Sequence, residues 1–441
     1  MPHNRVNHAI QAGFIGPLAT GFHFYDFTSP PYGAFSNGTF GSDVSRNLLL
    51  QLDRVNSLSY EIQADPELVK HLGKKGTLSR PLIKPPTVKL DFNYYLNGIK
   101  NEARLGFNVN YAQFQSGHLG DSYYQSKVCP ISGFESRDLI RVTGSPFQTY
   151  TCTDFRNLFF VVGPEGYDIR ENETDSVAHE LNWEWRFLDD KISTYHIISF
   201  GNCYIDNYSL RASVGAFPEA TVSYTCENVK YINTVDVEEG SAFPVIPGLN
   251  KQTFGAIKNK YFYIPKTVYE GNPAIIKPGD ITLTLSGLGK IHDIGVDFND
   301  AKLQSFSLDL PMNREELPAL GWHLPVDRPI TFPVLSTIRA DVIMGDGATG
   351  SLRHLFSGGH EYNLTLQMLS SSGCEFGNVP AYQIDVNNAT LRSASFNSSL
   401  TDNKTASLVF DVEVSNDLPL NTGIFISGRV NIRNMNSLPT F

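Results

Sequence analysis

The sequence predicts a mainly β protein built of two tandem copies of one unit, each with a short α-helix between its strands, and three observations lead there. Residues 55 to 96 and 303 to 344 can be written one above the other without a gap. Ser57, Ser59, Glu67, Leu72, Gly73, Arg80, Pro81 and Pro85 then fall on Ser305, Ser307, Glu315, Leu320, Gly321, Arg328, Pro329 and Pro333, an offset of 303 − 55 = 248. Within both blocks apolar residues recur at every second position, the period of a half-buried strand. The 441-residue chain is 41% hydrophobic and 12% aromatic with no low-complexity tract, which gives it room for two or three well-packed domains.

The first strand of each copy keeps both of its faces. Leu58, Tyr60 and Ile62 align with Phe306, Leu308 and Leu310, while Ser57, Ser59 and Glu61 align with Ser305, Ser307 and Asp309. A slip of one residue would have exchanged the two faces. A short helix is expected next, with Asp65 or Asn313 as N-cap, because a short side-chain oxygen can accept from the free amides of a first turn. Gly73 and Gly321 suit the left-handed residue that ends a helix. Pro66 fits a first helical position, whereas Pro318 lies inside the second copy's helix and should shorten or distort it. Alternation then returns in a second strand, with Leu90, Phe92, Tyr94 and Leu96 over Ile338, Ala340, Val342 and Met344. Lys89, Asp91 and Asn93 align with Thr337, Arg339 and Asp341 on its other face.

A closing hairpin also repeats. Asn207, Leu210 and Arg211 align with Asn388, Leu391 and Arg392 at an offset of 391 − 210 = 181, and Val222, Tyr224 and Cys226 with Leu408, Phe410 and Val412 at 408 − 222 = 186. This alignment makes the second copy's loop five residues longer and leaves the first half about 67 extra residues (248 − 181), an insertion at 97–202. Residues 229–280 carry five prolines with aromatic pieces such as Tyr261-Phe262-Tyr263, too apolar for a floppy linker, and read as an ordered connector. Residues 1–45, rich in glycine and with Pro30-Pro31, read as an extended N-terminal arm. The resulting domains are 46–228 and 281–441.

The formal net charge is −10, which argues against gripping nucleic acid through phosphate neutralisation but is compatible with a surface that lets DNA slide past. Five cysteines without a CxxC fit isolated thiols in a reducing cytoplasm, with the alternating Cys226 as a core residue. No apolar run is long enough to span a bilayer, and the first residues lack a signal-peptide pattern. Gly345-Asp346-Gly347-Ala348-Thr349-Gly350 lacks the Lys-Ser/Thr ending of a phosphate loop and reads as a hairpin tip. His354 and His360 have no completing ligands, and Asp297, Asn299 and Asp300 lack the glycine and distal glutamate of a calcium loop. Asn-x-Ser/Thr sequons such as Asn37-Gly38-Thr39 follow from an Asn- and Ser-rich composition. At least one residue of each aromatic pair, Tyr94-Tyr95 and Phe159-Phe160, is expected in the core. No catalytic residue, metal site or cofactor site is expected.

The strand carrying Ser57 and Ser59, the expected capped helix ending at Gly73, the strand from Val88 to Leu96, and the hairpin Ser209-Leu210-Arg211-Ala212-Ser213 with Ala220-Thr221-Val222-Ser223-Tyr224 together resemble the tail tube proteins of tailed bacteriophages. The resemblance runs from about Leu48 to Val414. It implies two tandem tail-tube-like β-sandwich or barrel domains per chain, each with a short flanking α-helix, three chains closing a pseudo-sixfold ring, and rings stacking into the phage tail tube through which double-stranded DNA passes. It implies self-association and contact with other tail proteins (tape measure, tip and terminator), synthesis in the host cytoplasm and a place in the virion. The strands Leu58 to Ile62, Val88 to Leu96, Phe306 to Leu310 and Ile338 to Met344 are then expected in the ring. Ser57, Ser59, Glu61, Asp91, Asn93, Ser305, Ser307, Asp309, Arg339 and Asp341 are the candidates for its water-filled lumen.

Two other classes fit the same composition. One is a tail-tip or baseplate protein that binds a receptor or carbohydrate. The other is a glycoside-active β enzyme using paired carboxylates such as Glu180 and Glu184, which share one face of a strand.

Overall fold

The structure, a computed structural model, describes residues 8–16, 50–64, 66–70, 73, 77–80, 82, 84–105, 107, 109–114, 123–128, 156–164, 196–233, 276, 279, 281–286, 290–291, 296–297, 302–318, 320, 325, 328–343, 361–369, 380–397, 404–414 and 423–428. The protein is mainly β, and one antiparallel sheet of 15 strands dominates it.

In the first half the strands are β1 (His8–Gly16), β2 (Leu50–Leu52), β3 (Val55–Gln63), β4 (Val69–Lys70), β5 (Thr77–Ser79) and β6 (Thr87–Tyr95). After helix α1 (Lys100–Leu105) come β7 (Val109–Phe114), β8 (Tyr123–Val128), β9 (Arg156–Pro164), β10 (His196–Ser213), β11 (Glu219–Cys226) and β12 (Asn228–Asn233). The second half holds β13 (Ile281–Ser286), β14 (Lys290–Ile291), β15 (Val296–Asp297), β16 (Lys302–Pro311) and β17 (Val334–Ile343). It ends with β18 (Glu361–Leu369), β19 (Pro380–Asn397), β20 (Thr405–Val414) and β21 (Gly423–Gly428).

The strand registers of the two halves match at fixed offsets. Ser57 lies opposite Asn93 as Ser305 lies opposite Asp341, and Glu61 opposite Lys89 as Asp309 opposite Thr337, an offset of 341 − 93 = 248 throughout. Even the bulges agree, between Val55 and Ser57 in β3 and between Leu303 and Ser305 in β16. Glu219 pairs with Tyr95 as Thr405 pairs with Ile343. The 18-residue strands β10 and β19 correspond in the same way, for Ile205 faces Tyr224 as Leu391 faces Phe410. Asn202 and Asn388, the left-handed residues at φ 49 and 62, sit 388 − 202 = 186 apart, in a conformation that asparagine tolerates better than most side chains.

Each of these long strands belongs to two layers. The first part of β10 pairs with β9 and β12, and its second part with β11. In the second half β19 pairs with β18 and β21, then with β20. Between the layers Phe92 meets Phe160 at 5.5 Å between ring centroids and Tyr362 meets Phe410 at 5.9 Å, while Phe160 and Phe200, on the paired strands β9 and β10, stand 6.0 Å apart. Burial of such aromatics supplies most of the driving force for the layered fold.

One seam joins the halves: β10 pairs along its second part with β16, from Asn207 opposite Pro311 to Ser213 opposite Ser305. The strand order across it is β20, β17, β16, β10, β11, β6, β3.

Four expectations from the sequence need correction. No helix follows β3 or β16 in the described residues: Pro66 bridges Leu82, β4 pairs with β5, and Arg314 bridges Ile330. A β-branched Val69 in one copy and a mid-segment Pro318 in the other weaken so short a helix, and strand-like pairing takes its place. Gly73 does adopt a left-handed φ of 86, although at a turn; Asp65 and Gly321 lie outside the described residues. The described α-helix, α1, lies instead in the expected insertion. Secondly, the hairpin offset is 186 on both strands, so its loop is not longer in the second half; Leu391 faces Phe410 whereas Leu210 faces Ala220. Matching identities Asn-Leu-Arg had outweighed register. The surplus of the first half is then 248 − 186 = 62 residues. Thirdly, residues 8–16 of the expected arm at 1–45 form a strand of the sheet, β1, paired with β2 and β9, and the rest of that range lies outside the described residues. Lastly, β9 and the start of β10 correspond to β18 and β19, so they are not insertion, and residues 229–233 belong to β12 rather than to a connector.

Candidate functional site

The ten residues singled out from the sequence lie on strands of the same sheet, alternating with its core on β6, β16 and β17, whereas on β3 the intervening Tyr60 and Ile62 are themselves exposed. On β6, Val88, Leu90, Phe92 and Tyr94 are buried while Lys89 and Asp91 are exposed. On β17, Ile338, Ala340 and Val342 are buried and Arg339 is exposed. Rows of polar side chains therefore run across the strands: Ser57, Asn93, Thr221, Ser209 and Asp309 in one, and Arg211, Ser307 and Arg339 in another.

Short hydrogen bonds hold these side chains to the sheet. The Ser57 hydroxyl donates to Asn93 Oδ1 at 2.7 Å, and its counterpart Ser305 donates to Asp341. Asn207 Nδ2 donates to Asp309 Oδ1 at 3.1 Å across the seam. Lys89 Nζ donates to Thr225 Oγ1 at 2.6 Å and reaches Asp206 at 3.2 Å. Arg392 lies 3.7 Å from Asp411, which also accepts from Thr337. Cations and carboxylates are interspersed, so the face carries no single-signed field that would hold a polyanion.

Two polar clusters pin the halves together behind this face. Glu102 on α1 is fully buried and accepts from Tyr94 at 2.9 Å and Tyr208 at 3.0 Å, while Tyr208 shares a 3.0 Å hydrogen bond with Tyr382 of the second half. Loss of water raises the Glu102 carboxyl to about 7, the tyrosine bonds opposing the rise. Burial also raises all three phenols well above their ordinary range. In the second cluster Arg328, 4% exposed, lies 3.8 Å from Glu227 and 3.0 Å from Glu316, with its guanidinium 5.7 Å from the centre of the Tyr204 ring. Asn202 donates to Glu227 at 2.6 Å, and burial raises the Glu227 carboxyl in spite of that bond and Arg328. Arg314 donates to the carbonyls of Ile205 at 2.8 Å and Arg328 at 2.7 Å.

Sequence reasoning missed the contribution of β10 and β11 to the polar face, although Ser209, Arg211 and Ser213 alternate there with buried Tyr208, Leu210 and Ala212. It also missed both clusters. An offset of 186 in place of 181 would have placed Glu227 over Glu413 and Asn202 over Asn388, beside the aligned Arg80 and Arg328. Tyr94 is buried with Tyr95 half-buried, Phe159 and Phe160 are both in the core, and Cys226 is a buried free thiol.

Residues 345–360 with His354 and His360, and Glu180 and Glu184, lie outside the described residues, as do Asn299 and Asp300; Asp297 is in β15. Among the described residues no group of three or more His, Cys, Asp or Glu could hold a metal ion, and no helix is long and apolar enough to cross a membrane. The chain matches no protein-family model and no curated protein.

Proposed function

We propose that this chain is a tube-forming structural protein whose two halves are diverged copies of one tail-tube-like domain, three chains closing a ring and rings stacking into a phage tail tube for double-stranded DNA. The observation that carries this reading is the repeated register: the strand pairs of the first half recur in the second at offsets of 248 and 186, and the halves join edge to edge through β10 and β16. A sheet grown by such edge joining has its polar side on one surface throughout. That surface, with Ser57, Ser59, Glu61, Asp91, Asn93, Ser305, Ser307, Asp309, Arg339 and Asp341, is assigned to the lumen. Interspersed charges and short hydroxyls there would keep DNA hydrated and moving.

The dimensions are compatible with that task. Eight strands per chain in three chains make about 24 strands, which at about 4.8 Å spacing and roughly 40° tilt enclose a channel roughly 48 Å across between backbones. A DNA duplex fits inside with water on every side. Electron microscopy of the purified protein tests the reading: hollow tubes or stacked rings, with a threefold cross-section of six similar lobes, are expected. Discrete particles that bind glycans without polymerising would overturn it in favour of a tip protein.

A further inference from the structure

The internal seam leaves two edges that match each other. On β3, the edge away from β6 has no partner among the described strands, and the second part of β19 is in the same position opposite β20. By the offsets above, β3 corresponds to β16 and the second part of β19 to that of β10, so the two edges are the separated equivalents of the seam that β10 and β16 make within the chain.

Exposure supports the correspondence. Leu308, Leu310 and Leu210 are 1%, 0% and 0% exposed at the internal seam, whereas their equivalents Tyr60, Ile62 and Phe396 are 37%, 53% and 52% exposed. Beside the seam Ile330 is 5% exposed and its equivalent Leu82 is 51% exposed. Apolar residues at equivalent places differ in burial because only one set has its neighbouring strand. An edge strand with exposed apolar side chains is a pairing template.

Charge repeats as well. Arg328 and Glu227, the buried pair that clamps the internal seam, have Arg80 and Glu413 as equivalents, both exposed and both unchanged in type. Tyr204 and Arg314 are replaced by Thr390 and Pro66, so the cation–aromatic packing of the clamp is not repeated.

From these three observations we infer that β3 of one chain adds, antiparallel, to the second part of β19 of a second copy, in the register Ser393–Gln63, Ala394–Ile62, Ser395–Glu61, Phe396–Tyr60 and Asn397–Ser59, with Arg80 of the first chain paired to Glu413 of the second. The inference rests on the tube reading and gives its ring contact in residue detail. The contact is head-to-tail, so each chain keeps one edge of each kind until the ring closes.

Paired cysteines test the register in the full chain. Directly opposed residues stand about 4.5–5.5 Å apart between Cα atoms, within disulfide reach, while a pair displaced by two residues is at about 7–8 Å, near or beyond it. Under mild oxidation, protein carrying Ser59→Cys with Asn397→Cys, or Glu61→Cys with Ser395→Cys, should be linked between chains, running as dimers and trimers on denaturing gels. Glu61→Cys with Asn397→Cys should be linked about tenfold more slowly, and the single variants set the background from the native thiols. A second arm uses charge. Arg80→Glu should raise the concentration needed for assembly at least about tenfold, and adding Glu413→Arg should restore it, because like charges across a seam cost several kcal/mol and opposite ones do not. If tubes form but the displaced pair links as fast as the opposed ones, or no pair links and charge reversal is silent, the seam is wrong while the tube reading stands. If the unmodified protein never forms rings or tubes, the tube reading fails and the seam with it.

Discussion

The same substitution at equivalent positions of the two halves should act on different processes. Leu310 is fully buried opposite Tyr208 of the neighbouring strand β10, and Leu310→Ala removes its side chain from a closed core, at a cost of about 3 kcal/mol to folding. Ile62, its equivalent, is 53% exposed in the single chain, so about half of the roughly 1.5–3 kcal/mol gained by full burial of such a side chain remains to be won at an intermolecular seam. Ile62→Ala should therefore cost the unassembled chain no more than about 1 kcal/mol. It should also weaken each ring contact by about 1 kcal/mol, roughly fivefold in the concentration at which half the protein sediments as assemblies. Urea unfolding of unassembled protein gives the first quantity and sedimentation across a dilution series the second. Equal loss of folding stability in both variants, or an unmoved assembly midpoint for Ile62→Ala, would refute the argument that β3 is a vacant equivalent of β16.

Further outcomes follow from the clusters and the polar face. Glu102 is held near 7 against an ordinary 4.5, so the folded chain binds its proton more tightly than the unfolded one. Its contribution is complete below pH 4.5 and is lost as pH rises through 7, about 3 kcal/mol in all; Glu102→Gln should flatten that part of a stability-versus-pH curve, as followed by thermal unfolding. Arg328→Ala strands Glu227 in a buried site and should cost about 3 kcal/mol in urea unfolding, whereas Arg80→Ala should stay within about 0.5 kcal/mol in unassembled protein. Asp91→Lys with Asp309→Lys should leave assembly intact and make the tubes retain duplex DNA in a gel-shift assay, with retention falling steeply as salt is raised.

The β strands were legible because period-2 alternation writes both faces of a half-buried strand into the chain, as at Leu58 to Ile62 and Phe306 to Leu310. The helix after them was misread because Asp65-Pro66 and Gly73 supply good helix ends, whereas the segment's fate is set by bridges to Leu82 and Ile330, residues 16 positions further along (82 − 66, 330 − 314). The hairpin slipped by five residues because identity drew Leu210 onto Leu391, while the bulge before Asn207 and Ser393, visible only in the ladder, fixes the register. Glu102 was illegible because α1 is six residues long and its tyrosine partners come from β6 and β10, up to 208 − 102 = 106 residues away, with Tyr382 of β19 bonded in turn to Tyr208.

The seam between β10 and β16, closed within one chain, changes how a ring of the proposed kind would start. Half of the joints of such a ring would be made during folding, where the tether holds the two edges at an effective concentration on the order of millimolar, and so would not depend on how much protein is present. Damage at those joints is repaired by reclosure within one molecule. Damage at the others dissolves the whole into reusable pieces, so dilution should disassemble the object only into intact two-lobed units and never into single lobes.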